Sequence, residues 1–298
     1  MGSSVFLDDG NLSQLRVAFS RFPDGEIHCV LKEAERCRSR DVMIFHRLYP
    51  KQNEHLVELI FLLDVIRRTR PKSISVFVPY LPYSRQDKSG FPGEASGAQI
   101  ICKLLAGAGC SDLYTLDCHF MRGEKVIKVD GLKVHNISVL DGLIDKYRKL
   151  SAAEFDIIGP DNGSEYITKK FAGQSLYKER GEYSRHPKNR NKIRRTIISV
   201  SGDHIRASKK VLLVDDMVST GTTLLKAIEV LKTKGVKNFS CAFTHGLFTE
   251  GSLPKLAAQT DHLLYTDTAR RKGASIKVKD VFESEVLNPW QKSRRFNS

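Results

Sequence analysis

Short apolar runs alternate along this chain with longer stretches of helical spacing. Residues 41–45, 73–78, 113–116, 155–158, 211–214 and 239–243 read as strands, and the run Val211-Leu212-Leu213-Val214 suits a strand buried on both faces. Between them lie helical patterns. Residues 54–70 carry Leu56, Leu59, Ile60, Leu63 and Ile66 on one face, and Pro71 ends the element. Residues 98–105 are helical and close at Gly107-Ala108-Gly109, and residues 139–149 form another helix. Leu224, Ala227, Ile228 and Leu231 share a face ahead of a stop at Gly235. Near the start, strand-like segments in residues 17–30 flank the turn Pro23-Asp24-Gly25.

Strands alternating with helices predict an α/β protein with parallel sheets. A second strand–helix series begins after residue 150, so the sequence predicts two tandem domains, 1–150 and 151–298, with the final segment able to pack back on the first. Polar and charged residues gather at the strand C-terminal ends, where open α/β sheets bind ligands.

Composition narrows the function classes. No apolar stretch reaches the roughly 18 residues of a membrane span, and the first ten residues lack the basic and apolar regions of a signal peptide. Cys29, Cys37, Cys102, Cys110, Cys118 and Cys241 are scattered without a C-x-x-C, so reduced, mostly buried thiols and a cytoplasmic location are expected. The formal net charge of +14 calls for an anionic partner. Nucleic acid is one candidate and a polyphosphate substrate the other. The most basic stretch, residues 178–195, has no helix-turn-helix, RNP or zinc pattern, so no nucleic-acid partner is expected.

The chemistry concentrates in Val211 to Leu224, VLLVDDMVSTGTTL: a buried strand, the acidic pair Asp215 and Asp216, a small-residue turn, then a helix. A helix N-terminus offers N–H groups and a positive dipole end to a phosphate. The hydroxyls of Ser219, Thr220, Thr222 and Thr223 add donors, and Gly221 lets the backbone come close. The carboxylates repel a phosphate and suit sugar hydroxyls, or Mg²⁺ through water. No Gly-Lys-Ser/Thr follows, so this is not a Walker loop. It resembles the phosphoribosyl-pyrophosphate loop of the type I phosphoribosyltransferase fold. That resemblance implies that the acidic pair holds the ribose hydroxyls while Ser219 to Thr223 cradle the 5-phosphate.

Further stretches extend the resemblance over roughly residues 15–270. Asn53-Glu54-His55, Pro79-Tyr80, Tyr83-Ser84-Arg85-Gln86-Asp87, Asp117-Cys118-His119, Pro160-Asp161, Lys178-Glu179-Arg180, the DDMVSTGTT loop and Thr244-His245-Gly246 follow the order of the ribose-phosphate pyrophosphokinase (phosphoribosyl-pyrophosphate synthetase) family. The resemblance implies two tandem parallel-sheet domains of the type I phosphoribosyltransferase fold. It implies transfer of the β,γ-diphosphate of ATP to ribose 5-phosphate, with Mg²⁺. Arg85 and Gln86 would contact ATP. Phe22, Asp24, Gly25 and Glu26 would reach the adenine of a neighbouring subunit's ATP, so active sites would be shared within a homo-oligomer. His119 and Asp161 would form the metal site, His119 also lying near the ATP phosphates. Lys178 and Arg180 match the family's catalytic Lys-x-Arg, with Arg180 also toward ribose 5-phosphate. They open a basic loop predicted over 178–195, which includes Arg185, Lys188, Arg190, Lys192, Arg194 and Arg195.

The chain departs from the family at Ser219, where many members carry Asp, and in SGFPGEASG and FMRGEK, which lack the usual basic and Gln-rich text. Control by phosphate or ADP is therefore not expected here. Two alternatives remain: a phosphoribosyltransferase, which needs no ATP site, and a non-catalytic regulatory homologue of the synthetase.

Overall fold

The computed structural model of the 298-residue chain describes residues 3–8, 12–90, 92–151, 153–186, 189–201, 205, 207 and 210–295, with backbone alone over 178–186, 189–200 and at 295. It divides into two units, Met1–Val139 with Thr266–Ser298, and Leu140–Tyr265.

The first unit runs β1 (Ser4–Asp8), β2 (Leu12–Leu15), β3 (Val17–Arg21), β4 (Ile27–Leu31), β5 (Asp41–Phe45), α1 (Gln52–Arg68), β6 (Ser73–Phe77), α2 (Gly97–Gly107), β7 (Asp112–Leu116), β8 (Lys125–Val129) and β9 (Leu132–Ile137). Seven strands form one sheet in the order β2-β1-β5-β6-β7-β9-β8. Its centre, β5-β6-β7-β9, is parallel. Both margins are antiparallel, β1 against β2 and β5, and β8 against β9. The period-2 geometry of a strand explains why the central runs are apolar throughout. Val42, Ile44, Ile74, Val76 and Leu113 face Leu59, Leu62 and Leu63 of α1 and Ile101 and Leu105 of α2. Met43, Phe45, Phe77 and Leu116 belong to a second apolar cluster on the alternate positions. β3 and β4 pair separately as a hairpin, Arg21 opposite Ile27.

The second unit contains α3 (Leu140–Leu150), β10 (Asp156–Gly159), α4 (Glu165–Lys170), β11 (Gln174–Ser175), β12 (Tyr177–His186), β13 (Asn189–Ser201), β14 (Lys210–Val218), α5 (Thr222–Thr233), β15 (Asn238–Gly246), α6 (Ser252–Ala257) and β16 (His262–Thr266), whose last residue belongs to the first unit. Five strands order as β11-β10-β14-β15-β16, with parallel pairing of β10 to β11, β10 to β14 and β14 to β15.

The basic run departs from the sequence reading. The run predicted as a basic loop over 178–195 is largely an antiparallel ribbon of β12 and β13, with Lys178 opposite Val200 and Arg180 opposite Ile197. The charges are interleaved with β-formers: Tyr177 and Tyr183 in one strand, Ile193, Thr196, Ile197, Ile198 and Val200 in the other. Lys188 lies outside the described residues, as do the side chains of Lys178, Arg180, Arg185, Arg190, Lys192, Arg194 and Arg195.

The last segment, α7 (Val278–Val281), a π-helical turn (Phe282–Leu287) and α8 (Asn288–Arg295), packs on the second face of the seven-stranded sheet. Phe282 stands 5.1–5.5 Å, ring centre to ring centre, from Phe6, Phe45 and Phe77. Trp290 donates its indole N–H to the Ser75 hydroxyl at 3.2 Å. The buried Arg47, just past β5, donates to the Asp267 and Thr268 carbonyls and pairs with the Asp267 carboxylate at 3.3 Å. All six cysteines are free and five are buried. Among the described residues no helix is long and apolar enough to cross a membrane.

Candidate active site

In the second unit β14 carries the acidic pair. The sequence reading ends this strand at Val214, but the strand continues to Val218 because β15 runs beside it, Met217 opposite His245 and Val218 opposite Gly246. Asp215 and Asp216 therefore lie within the strand, on opposite faces as successive residues must. Asp215 is half-buried and Asp216 is 3% exposed. The Asp216 N–H donates to Asp215 Oδ1 at 3.0 Å. Beneath the site, burial first and then the Asp215 carboxylate push the Cys241 thiol well above its usual range.

The turn after β14 is held from behind. The Ser219 carbonyl accepts the Thr249 N–H at 3.0 Å and the Ser252 hydroxyl at 2.8 Å, and the Ser219 and Thr249 hydroxyls are 3.1 Å apart. Thr220 and Thr222 bring their hydroxyls within 3.0 Å of each other. Gly221 caps α5 in a left-handed conformation, φ 72°, and a Cβ there would come within 3.2 Å of Leu256 and Ser252. Both the left-handed backbone and the close approach favour glycine here. It gives α5 no side-chain cap, and Thr222 and Thr223 open the helix. A hydroxyl-rich turn leading into an uncapped helix N-terminus is the chemistry of a phosphate cradle.

Asp161 follows β10 and caps the 3₁₀ turn Asn162–Ser164. Its Oδ1 accepts the Gly163 N–H at 2.7 Å, its carbonyl takes the Ser164 hydroxyl at 2.7 Å, and it is 6% exposed. The backbones of Lys178 and Arg180 begin β12, and the ribbon's register shifts on both sides of Arg180.

In the first unit the β3–β4 turn holds Phe22, Asp24, Gly25 and Glu26. The Phe22 N–H donates to the Glu26 carbonyl and the Gly25 N–H to the Phe22 carbonyl, both at 2.9 Å. The Glu26 N–H reaches Asp24 Oδ1 at 3.1 Å. The Phe22 ring is 50% exposed at the tip. Gly25 and Glu26 line a cleft of about 750 Å³ with Arg21, Asn53 and Glu54. Arg85 and Gln86, both exposed, line another of about 350 Å³ with Gln52, Asn53, Tyr80 and Tyr83. A Cβ at Gly97, the first residue of α2, would come within 2.5 Å of Gln86 Oε1 and 3.0 Å of Tyr83 Cβ, so the loop lies close against the helix there. His119 stands half-buried in the turn after β7, directly after two anchored residues. Asp117 Oδ2 accepts the Val139 N–H at 3.0 Å, and Asn136 Oδ1 accepts the Cys118 N–H at 2.7 Å.

The metal expectation can be weighed on donor chemistry. Among the described residues no three His, Cys, Asp or Glu side chains gather into a metal cage. A seated carboxylate such as Asp161, without a cage around it, fits Mg²⁺, which keeps waters and takes phosphate oxygens to complete its shell.

Each described residue of the sequence reading is placed within its own unit. The acidic pair and its turn are adjacent in the second unit. The Arg85–Gln86 and Gly25–Glu26 clefts share Asn53 in the first. The supporting residues were not singled out as such in the sequence. Thr249 and Ser252 lie far from the loop they brace, and Gly97 and Asn136 carry no motif. The available signals were the Gly251-Ser252 pair after the next strand and a glycine opening a helical pattern at 97.

Comparisons with known proteins bear on both units. Residues 8–109 match the family model of the N-terminal domain of ribose phosphate pyrophosphokinase, and residues 142–259 match the phosphoribosyl transferase domain. A ribose-phosphate pyrophosphokinase of Sulfolobus acidocaldarius is 29% identical over 95% of this chain and 97% of its own length. Those of Wolinella succinogenes and Campylobacter jejuni are 31% and 32% identical, over 87% and 88% of this chain and 81% and 82% of theirs. In fold, the chain is similar to phosphoribosylpyrophosphate synthetase from Mycobacterium smegmatis, with a TM-score of 0.73 at 22% identity over 95% of this chain and 91% of that one.

Proposed function

This chain belongs to the ribose-phosphate pyrophosphokinase family, and from that premise we propose that it is an ATP-dependent enzyme that makes phosphoribosyl pyrophosphate and AMP from ATP and ribose 5-phosphate, for nucleotide biosynthesis. The ribose 1-hydroxyl attacks the β-phosphorus of ATP in line. The bond from that phosphorus to the α,β-bridging oxygen breaks, AMP leaves, and the hydroxyl proton is released. There is little covalent work for the protein in such a transfer, so positioning and charge neutralisation carry it. The observation that carries the reading is the braced turn Ser219 to Thr223 leading into α5, directly after the acidic pair, in a chain whose other unit matches the synthetase's own amino-terminal domain.

In this reading Ser219, Thr220, Gly221, Thr222 and Thr223 hold the 5-phosphate. Asp215 and Asp216 serve the ribose hydroxyls, with Arg180 near the sugar phosphate. Arg85 and Gln86 hold ATP, the guanidinium forking onto phosphate oxygens. Lys178, Arg180 and His119 act on the transferring group. Mg²⁺, when bound, would be held by Asp161 and His119 together with substrate phosphates, and would neutralise phosphate charge. The protein's place is the cytoplasm, a reading that its free thiols support. The test is incubation with ATP, Mg²⁺ and ribose 5-phosphate. AMP forming in step with ribose 5-phosphate consumption supports the reading. A folded chain that yields none overturns it.

The sugar site has its own expected outcome. Asp215→Asn should weaken ribose 5-phosphate binding roughly 10-fold, the order of one hydrogen bond to a charged group, while ATP affinity stays near the parent's. Titrating each substrate separately checks this, and an unchanged ribose 5-phosphate affinity would reject the assignment.

The exposed Phe22 tip supports a shared site in a homo-oligomer, in which Asp24, Gly25 and Glu26 of one subunit serve the ATP of another. Inactive Arg85→Ala chains mixed with inactive Glu26→Ala chains should then regain activity, because one interface of a mixed dimer contains both unaltered elements. No recovery under proven subunit exchange would count against sharing.

A further inference from the structure

The loop bearing Arg85 and Gln86 is fastened at Tyr83. Tyr83 holds a left-handed backbone, φ 63°, without being glycine. Such a conformation persists only where the surroundings impose it. Three contacts do so. The Tyr83 hydroxyl donates to Asn53 Oδ1 in the first turn of α1. The Tyr83 carbonyl accepts the Gln86 N–H at 2.9 Å. The Tyr83 Cβ packs so close to α2 that a Cβ on Gly97 would meet it at 3.0 Å. Asn53 is therefore a rigid helical post for a turn that presents two side chains, and it also lines the Gly25–Glu26 cleft.

We propose that Asn53 is a positioning residue for ATP, acting through Tyr83 to fix the 83–86 turn and so the stance of Arg85 and Gln86 toward the nucleotide. The proposal rests on the reading of Arg85 and Gln86 as ATP contacts. Without the Asn53 bond, Tyr83 keeps a disfavoured backbone with one fewer restraint, and the turn relaxes. Binding ATP must then reorder both side chains, and that ordering cost falls on ATP affinity alone. A merely structural bond would act differently, lowering stability or both substrate affinities together.

The test compares Asn53→Ala, Tyr83→Phe, their double variant and Asn53→Asp, which keeps the acceptor. ATP binding is measured by titration calorimetry with Mg²⁺ on the full chain, alongside steady-state KM for each substrate and thermal unfolding. Loss of one net hydrogen bond predicts ATP affinity roughly 2- to 10-fold weaker in either single variant. The double variant should be no worse than the singles, since both remove the same bond. Asn53→Asp should stay near the parent, and the KM for ribose 5-phosphate and the Tm should not move. Parent-like ATP affinity in the single variants, additive losses, or equal losses for both substrates would overturn the proposal while leaving the enzymatic reading intact. A parent chain that itself fails to bind ATP would overturn both, and the parent control distinguishes that case.

Discussion

Replacing Lys178 and Arg180 together by alanine is expected to lower kcat by at least roughly 10²- to 10³-fold, the range for removing one preorganised charge-stabilising donor, with ground-state ATP binding largely kept. The argument starts from the reaction. As diphosphate moves from AMP to the sugar, negative charge shifts among its oxygens, and a placed cation stabilises that charge more than it stabilises bound ATP. Such a residue is read in kcat rather than in substrate affinity. The expectation concerns two particular residues rather than a diffuse basic surface. Lys178 and Arg180 open β12 just after β11, and the pairing with β13 shifts register on both sides of Arg180. Irregularities of this kind are over-represented next to active sites, where they re-aim a side chain or terminate pairing. Lys188 and Arg190, farther along, lack the Lys-x-Arg pattern. The matched control Lys188→Ala, Arg190→Ala should therefore keep most of the parent's turnover. Measuring kcat and both substrate affinities for the two double variants checks this. Equal losses would mean that bulk charge matters rather than two placed residues. A folded parent with no turnover would move the reading to a regulatory homologue.

The basic ribbon also shows where sequence reasoning stops. The charges of residues 178–195 argue for a solvated loop, yet the apolar β-formers of β13 lie mostly at and beyond that run's far end, and they decide the backbone. Local charge was legible, whereas the pairing of strands is a non-local choice. β14 makes the same point. Its length through Asp215 and Asp216 to Val218 is set by the neighbouring β15, not by its own apolar run. The parallel centres of both sheets were legible, because a strand covered on both faces has no polar alternation. The antiparallel margins were not: β1, β2 and β8 carry mixed patterns whose partners only the sheet reveals. For the candidate site, motif residues could be read and their braces could not. Ser219 is fixed by Thr249 and Ser252 from the segment after the neighbouring strand, and His119 follows two residues anchored through Asp117 and Asn136.

Phe282→Ala should destabilise the first unit by about 3–5 kcal/mol, the usual cost of emptying a buried phenylalanine site. The ring is 0% exposed and lies among Phe6, Phe45 and Phe77, one from each of the neighbouring strands β1, β5 and β6. These three rings alternate with Val5, Leu7, Ile44 and Val76, which face the opposite cluster. The sheet thus has apolar residues on both sides, but α1 and α2 cover only one. Phe282, with Val278, Val281, Val286, Leu287 and Trp290, supplies the cover for the other. The surrounding rings are held by strands, so the cavity would collapse poorly. A domain of roughly 150–250 residues loses about 2–4 °C in Tm per kcal/mol, which makes the expected shift roughly 6–20 °C. The contrast is Phe22→Ala. That ring is 50% exposed at a hairpin tip, and its removal should change stability by no more than about 0.5 kcal/mol. The same Phe22 change should still weaken ATP use if the tip serves a nucleotide. Thermal unfolding followed by calorimetry separates the two roles. A parent-like first-unit transition in Phe282→Ala would show that the terminal segment is not part of that unit's core. A large stability loss in Phe22→Ala would make the hairpin tip structural rather than a ligand contact.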